Sequence, residues 1–199
     1  ELSKKNNLKI LNFCDDYIIS HSINKKKTQD YILKLLNNLN KIKIKNLILP
    51  MYGKSNLTDL NYNKYVKVIK KIVKKSNKIN ILIESNISPN EFKIFKKNVN
   101  SKKLLFLFDT GNRINLKRNM YEDFLSMYNF IEHIHIKDKN NKKQNVKLTT
   151  GLVNFSKFFK ILKQMKYKKN FTFETTRGDD PIKTAKNNIN FLRKGLNLR

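Results

Sequence analysis

The protein has 199 residues, of which 39% are hydrophobic and 29% are charged, and its formal net charge is +28 at pH 7. This length suits a single domain over residues 1–199 and excludes two domains of ordinary size. The one cysteine excludes an internal disulfide framework and a cysteine-rich zinc module, which favours a reducing, cytoplasmic setting. The longest apolar runs are far shorter than the roughly 18–20 residues of a membrane helix, so we expect no membrane span and no secretory leader.

The positive charge comes almost entirely from lysine, since the chain has 38 Lys and 5 Arg, beside 30 Asn and a single Ala. These lysines are scattered along every segment, a bias that indicates drift of codon usage toward A and T. Proteins that read phosphates through a bidentate fork favour arginine, and no aromatic RNA-binding motif or helix-turn-helix signature is present. We therefore interpret the charge as solvated surface and expect a small-molecule partner rather than a nucleic acid.

Short apolar runs alternate with amphipathic stretches along the chain, a pattern typical of βα units around a parallel sheet. Helix-start signals precede several amphipathic stretches: Thr28, a capping box at 88–91, Asn154 and Asp180. A polar run over 137–152 predicts one long irregular loop. The predicted strands are Leu8–Phe13, Asn46–Leu49, Ile79–Glu84, Leu104–Asp109, Ile131–Ile136 and Asn170–Glu174.

Six strands with intervening helices fit either an open doubly wound sheet or a barrel. A dinucleotide-binding sheet needs G-x-G-x-x-G after its first strand, whereas the turn here is Cys14-Asp15-Asp16-Tyr17. The sequence therefore predicts an α/β fold, a TIM-type (β/α) barrel. A complete barrel takes about 250 residues, so we expect this chain to lack a first βα unit of roughly 30–60 residues. The strand edges left open would favour a homo-oligomer.

Ligand-type side chains stand at the carboxyl ends of four predicted strands: Glu84, Asp109, His135 and Glu174. In a barrel these ends converge on the face where active sites are assembled. A carboxylate that ends a strongly apolar strand is costly to desolvate unless it is paired or bound to a cation. The four residues therefore predict a site for one divalent ion such as Mn, Mg, Co or Zn.

These residues stand in short motifs that follow one another over roughly residues 8–195. The motifs are Ile83-Glu84, Asp109-Thr110-Gly111-Asn112, the stretch from His133 to Asp138, the stretch from Thr150 to Phe155, and Phe173-Glu174-Thr175. In this order they resemble those of the xylose isomerase-like TIM barrel superfamily, in its sugar phosphate isomerase/epimerase branch. Residues Leu8–Phe13 then correspond to the second strand of that family.

The resemblance implies that Glu84, Asp109, His135 and Glu174 hold the metal ion, and that the catalytic residues are Glu84 and Glu174, the acid and base at neighbouring carbons of a ketose or aldose. The chemistry is consistent with this. A divalent cation polarises the carbonyl and stabilises the enediolate oxygen, while two carboxylates on opposite faces remove and return the proton. We therefore predict a metal-dependent sugar or sugar-phosphate isomerase or epimerase.

Further polar residues are candidate substrate contacts because they lie just past strand ends: Asn86, Lys137 and Asp138. The ordinary alternative for each is a loop residue without a role in the site. Asn112 stands where many relatives have a histidine that touches substrate, so its amide is expected to replace that contact and to change the substrate range.

Two more residues have alternative interpretations. His133 shares a strand face with His135 by alternation, so it is either the metal ligand itself or a partner that orients the ligand through a hydrogen bond. Arg177 precedes the last predicted helix, where it either clamps a substrate phosphate together with the helix N-terminus or belongs to an ordinary turn and cap.

Three other functions remain open. A keto-polyol dehydratase or lyase on the same barrel would use the same ligands. A DNA-repair enzyme of the endonuclease IV type shares the superfamily, but such enzymes use a zinc cluster with many histidines, and this chain has three. A barrel without catalysis would bind the ion and turn over no polyol.

Overall fold

The structure, a computed structural model, describes residues 2–58 and 62–198. It divides into two compact units, Glu1–Leu107 and Phe108–Arg199. The boundary falls inside a strand, β4, which spans Leu104–Asp109. The prediction of a single domain over residues 1–199 stays a prediction.

The first unit alternates strands and helices. Its elements are α1 (Leu2–Lys5), β1 (Asn12–Cys14), α2 (Tyr17–Ser20), α3 (Lys26–Lys41), β2 (Asn46–Pro50), a 3₁₀ turn (Gly53–Ser55), α4 (Tyr62–Lys75), β3 (Asn80–Glu84), α5 (Pro89–Val99) and the beginning of β4. Strands β1 to β4 are hydrogen-bonded in chain order and run parallel. Because helices cover such strands on their way back to the sheet, the interior strands β2 and β3 are largely apolar, and β2 is buried along its whole length.

The second unit continues the alternation. Its elements are α6 (Thr110–Ile114), α7 (Met120–Met127), a 3₁₀ turn (Tyr128–Phe130), β5 (Ile131–Ile136), β6 (Asp138–Lys139), β7 (Asn145–Val146), α8 (Phe155–Gln164), β8 (Asn170–Phe173) and α9 (Pro181–Leu196). Strands β5 and β8 pair in parallel, and β6 and β7 form a small antiparallel hairpin. The strand order of the large sheet is β1-β2-β3-β4-β5-β8.

Each unit has its own core. In the first, Ile48 and Leu82 lie on neighbouring strands and contact Leu107. In the second, the ring of Phe124 meets those of Phe108 and Phe158 edge to face, with centroids 5.2 Å apart in each pair. Edge-to-face pairs add about 0.5–1.5 kcal/mol beyond the burial of their area.

Several local predictions are confirmed. Ser88 and Glu91 form the predicted capping box at the start of α5, and Asn154 and Asp180 cap α8 and α9 through their side chains. Strands β4 and β5 have the predicted bounds. Thr28, however, is not an N-cap: α3 begins two residues earlier, and Thr28 is buried within it.

Two other predictions are wrong in extent. The first strand begins at Asn12 rather than Leu8, because its partner β2 begins at Asn46 and Asn46 pairs with Asn12. The side chain of Leu8 is 67% exposed. The predicted loop over 137–152 contains the β6-β7 hairpin, so it is not irregular throughout. Within the described residues, no helix has the length and hydropathy needed to cross a membrane.

Candidate active site

The second unit brings three of the predicted metal ligands together. Asp109 ends β4, His135 lies near the end of β5, and Glu174 directly follows β8. The imidazole nitrogen Nδ1 of His135 lies 3.8 Å from Oδ2 of Asp109 and 3.5 Å from Oε2 of Glu174. Because Asp109 and His135 are buried, these groups meet where water competes weakly for them. The cluster is therefore a candidate site for a cation.

The two carboxylate oxygens of Asp109 have different roles, one in capping a helix and one in the candidate site. Its Oδ1 accepts a 2.7 Å hydrogen bond from the backbone N–H of Asn112 and so caps α6. Its Oδ2 is buried and forms an ion pair with Lys137, whose Nζ lies 3.2 Å away. A buried carboxylate oxygen needs a cationic partner, which an ammonium or a metal ion can supply. This oxygen, beside an imidazole, is a donor set of the kind that holds Mn, Mg or Zn.

His133 and His135 occupy the same face of β5 but have different partners. Ring nitrogen Nε2 of His133 lies 2.8 Å from the hydroxyl Oγ1 of Thr172 on β8, and its ring lies 5.5 Å from that of His135. Burial, together with the neighbouring imidazole of His135, lowers the pKa of His133 to about 3. His133 is therefore neutral at physiological pH, and His135 is the imidazole that faces the carboxylates.

Lys137 directs its ammonium into the cluster. Its Nζ lies 3.2 Å from Oδ2 of Asp109 and contacts Oε2 of Glu174. Burial alone would lower the pKa of Lys137, but the two carboxylates raise it above its ordinary value. Burial would likewise raise the pKa of Glu174, but hydrogen bonds from His135 and Lys137 lower it below the ordinary range. The ammonium of Lys137 and the carboxylate of Glu174 are therefore charged at neutral pH.

Sequence reasoning expected Lys137 to touch substrate and did not recognise these ion pairs. The alternation of β5 could have revealed them, because it places residues 133, 135 and 137 on one face.

Sequence reasoning also missed Thr110, which is fully buried and lies at the start of α6. The Thr110 hydroxyl donates to the carbonyl of Lys137 at 2.6 Å and accepts from its N–H at 2.9 Å. Thr110 thus fixes the backbone on both sides of the lysine.

Asn112 and Asp138 have partners within the second unit. Asn112 Oδ1 accepts a 2.7 Å hydrogen bond from Nζ of Lys139. The carboxylate of Asp138 is fully buried and accepts hydrogen bonds from four backbone N–H groups, those of Lys139, Thr149, Gly151 and Val153. Asp138 therefore holds the hairpin and the loop that follows it.

The remaining candidates are Arg177 in the second unit and Glu84 and Asn86 in the first. Arg177 is exposed, and the N-terminus of α9 is already capped by the carboxylate of Asp180. A cavity of about 400 Å³ opens there and is lined by Lys147, Lys183 and neighbouring residues. In the first unit, Glu84 is buried and its Oε1 accepts a 3.4 Å hydrogen bond from the hydroxyl of Tyr52. Asn86 is exposed.

The family profile described as "Xylose isomerase-like TIM barrel" matches residues 1–195. The chain belongs to this family. This match confirms the resemblance and the TIM-type (β/α) barrel inferred from the sequence. A search of curated proteins finds no match.

Solved structures agree on the fold. An L-ribulose 3-epimerase is 14% identical with a TM-score of 0.81, over 98% of this chain and 77% of that one. A probable 3-DHS dehydratase from Bacillus anthracis is 16% identical with a TM-score of 0.74, over 95% and 78%. A xylose isomerase-like TIM barrel protein from Mycobacterium smegmatis in complex with magnesium is 15% identical with a TM-score of 0.75, over 100% and 77%. Barrel enzymes assemble their sites at the carboxyl ends of strands, which is where Asp109, His135 and Glu174 lie.

Proposed function

We propose that the protein is a metal-dependent sugar or sugar-phosphate isomerase or epimerase. The observation that carries the proposal is the meeting of Asp109, His135 and Glu174, in which one imidazole nitrogen lies within 3.8 Å of both carboxylates. Support also comes from the family and from similar structures that are named as sugar epimerases. The chain has one cysteine, Cys14, and so no internal disulfide, in keeping with a cytoplasmic enzyme.

We propose Asp109, His135, Glu174 and Glu84 as the ligands of one divalent ion. Glu84 ends β3, which pairs in parallel with Leu104–Phe106, and the same strand β4 ends in Asp109. Since carboxyl ends of neighbouring parallel strands share one edge of a sheet, Glu84 is the fourth ligand that the topology favours. The buried Oδ2 of Asp109, beside the imidazole of His135, is an oxygen ligand that fits such an ion. When bound, the ion would polarise the carbonyl of the substrate.

We assign the proton transfer to the two glutamates, Glu84 and Glu174. Glu174 lies beside His135 and Lys137 at the end of β8, so we assign to it the removal of the proton from the carbon next to the carbonyl. Glu84, whose hydrogen bond from Tyr52 orients one oxygen, is suited to return it to the neighbouring carbon or to the opposite face. A positioned acid and base contribute about 10²–10⁴-fold each to such a reaction.

A proton-exchange experiment tests the proposal. The purified protein is incubated in deuterated water with Mn²⁺ or Mg²⁺ and a panel of pentuloses, hexuloses and their phosphates, and NMR follows deuterium at the carbon next to the carbonyl. We expect incorporation by the wild type and a loss of about 10²–10⁴-fold in Glu174→Gln and Glu84→Gln. Asp30→Asn, an exposed carboxylate on α3, is the matched control and should behave as the wild type.

The same experiment has two informative negative outcomes. Exchange that survives in Glu174→Gln would contradict the assigned base. A protein that binds the ion but exchanges no proton with any polyol would instead be a barrel without catalysis. Metal content, measured on the same samples, shows whether a protein that exchanges no proton holds the ion.

A dehydratase is the second candidate, since one of the similar structures is a probable 3-DHS dehydratase. Enolisation beside a carbonyl is common to both reactions, but a dehydratase then expels a hydroxide from the adjacent carbon. The product would be a dehydrated ketone with a new carbon–carbon double bond. Its ultraviolet absorbance in the exchange reaction would favour this candidate over the isomerase.

A further inference from the structure

Glu174 needs a partner to hold it in place. Its side chain is 51% exposed, and it follows β8, which within the described residues pairs only with β5. A glutamate at such an edge loses rotamer freedom only through contacts of its carboxylate. The contacts that the structure gives are Nδ1 of His135 at 3.5 Å and Nζ of Lys137. Of these two, the ammonium carries a permanent charge at neutral pH.

Lys137 is itself rigidly held. Its side chain is buried, its backbone is bonded on both sides to the hydroxyl of Thr110, and its Nζ also faces Oδ2 of Asp109 at 3.2 Å. A lysine normally keeps a flexible stem and a solvated head. In this structure the aliphatic stem and the ammonium group of Lys137 are both held in one position, so the ammonium can fix a carboxylate that approaches it.

Gly111 makes this placement sterically feasible. A Cβ atom at Gly111 would lie 2.6 Å from Cγ and 2.8 Å from Cδ of Lys137, closer than such atoms approach one another. Gly111 lies inside α6, and its backbone is not in the left-handed region that favours glycine. Glycine within a helix costs roughly 0.5–1 kcal/mol relative to alanine. The room it leaves for the stem of Lys137 accounts for a glycine at this position.

We propose that Lys137, admitted by Gly111, is the positioning residue of Glu174. The ammonium holds the carboxylate at one location beside His135, so that the base meets the substrate carbon in a reactive geometry. This inference rests on the proposed function for its catalytic consequence. Its structural part, the coupling of residues 111, 137 and 174, is independent of it.

The kinetic test uses the split between kcat and KM. We expect Lys137→Met to lower kcat by about 100-fold, the order of loss that a misplaced catalytic group produces, with KM changed little. A rise in KM at unchanged kcat would overturn the proposal and would make Lys137 a substrate contact instead. Lys142→Met, an exposed lysine in the hairpin loop, is the matched control.

Gly111→Ala tests the same placement with every charge retained. We expect it to reproduce most of the kcat loss of Lys137→Ala, because its methyl group displaces the stem. In the Lys137→Ala background the same substitution should have little further effect. Equal losses in both backgrounds would overturn the role of Gly111, since the glycine would then act independently of the lysine.

A double-mutant cycle in urea unfolding separates this inference from the proposed function. We expect the stability losses of Lys137→Met and Glu174→Gln to be non-additive, since both remove the same ion pair. Additive losses would overturn the inference even if the enzyme is active. If the wild type exchanges no proton with any sugar, the proposed function fails, and non-additive losses would still show that Lys137 holds Glu174.

Discussion

Nζ of Lys139 donates a 2.7 Å hydrogen bond to the amide oxygen of Asn112. This contact links the first turn of α6 to the β6-β7 hairpin. Asn112 also donates its backbone N–H to Asp109. Asn112 therefore restrains a lysine of the adjoining hairpin.

We expect Asn112→Ala to release Lys139 with little effect on the fold. The loss of one charge-assisted hydrogen bond costs about 1.5–3 kcal/mol when the donor stays buried, and less here because Lys139 is only half-buried. Thermal unfolding should show a small decrease in Tm, while KM for the preferred sugar should change more than kcat. Asn112→Asp, which keeps an acceptor for the ammonium, is the control and should retain the wild-type Tm.

Asp138 is expected to be essential for the hairpin and the loop after it. Its carboxylate accepts four backbone N–H groups while fully buried. In Asp138→Asn, the side-chain NH₂ would face backbone N–H groups that then lose their acceptor. We therefore expect the free energy of unfolding to fall by roughly 3 kcal/mol. Limited proteolysis should cut the variant first within residues 140–152. A protease pattern equal to that of the wild type would contradict this role.

The site and the fold were predictable from sequence to different degrees. Strands β4 and β5 were predicted to the residue because uninterrupted apolar or alternating runs end in polar groups. The first strand was overestimated, since Leu8 belongs to an apolar run but no register with β2 reaches it. Hydrophobicity indicates that a segment can pair and does not show where its partner strand begins.

Contacts distant in sequence explain what was missed. The β6-β7 hairpin depends on a carboxylate that binds backbone 11 to 15 residues later, and no local pattern encodes this. The ion pairs of Lys137 depend on the missing side chain of Gly111, which lies 26 positions earlier in the sequence. The types of the chemical groups were readable from the strand ends, whereas their partners required the packed structure.

Near α7, a buried cluster of three charged side chains is expected to contribute strongly to the free energy of unfolding. The carboxylate of Asp123 accepts from Nη1 of Arg113 at 2.8 Å and from Nε of Arg118 at 3.3 Å. Removing one partner of a buried pair leaves an uncompensated charge and costs about 3–5 kcal/mol. We expect this loss for Arg113→Met, which affects a buried side chain, and a loss below about 1 kcal/mol for the more exposed Arg118→Met. Urea unfolding measures both, and equal losses would contradict the ranking.

His133 should make the protein less stable in mild acid. Its pKa is lowered to about 3 by burial and by His135, whereas an unfolded histidine titrates near 6.5. As pH falls below about 6.5, the unfolded chain gains a proton that the folded protein does not bind, so the free energy of unfolding decreases, by about 2 kcal/mol at pH 5. This contribution is fully present above pH 6.5 and is lost progressively toward pH 3.

Urea unfolding between pH 7 and pH 5 measures this contribution of His133. His133→Gln should lack this part of the pH dependence, and His21→Gln, which alters an exposed histidine, should keep it. An equal slope in the wild type and His133→Gln would show that other groups cause the loss in acid.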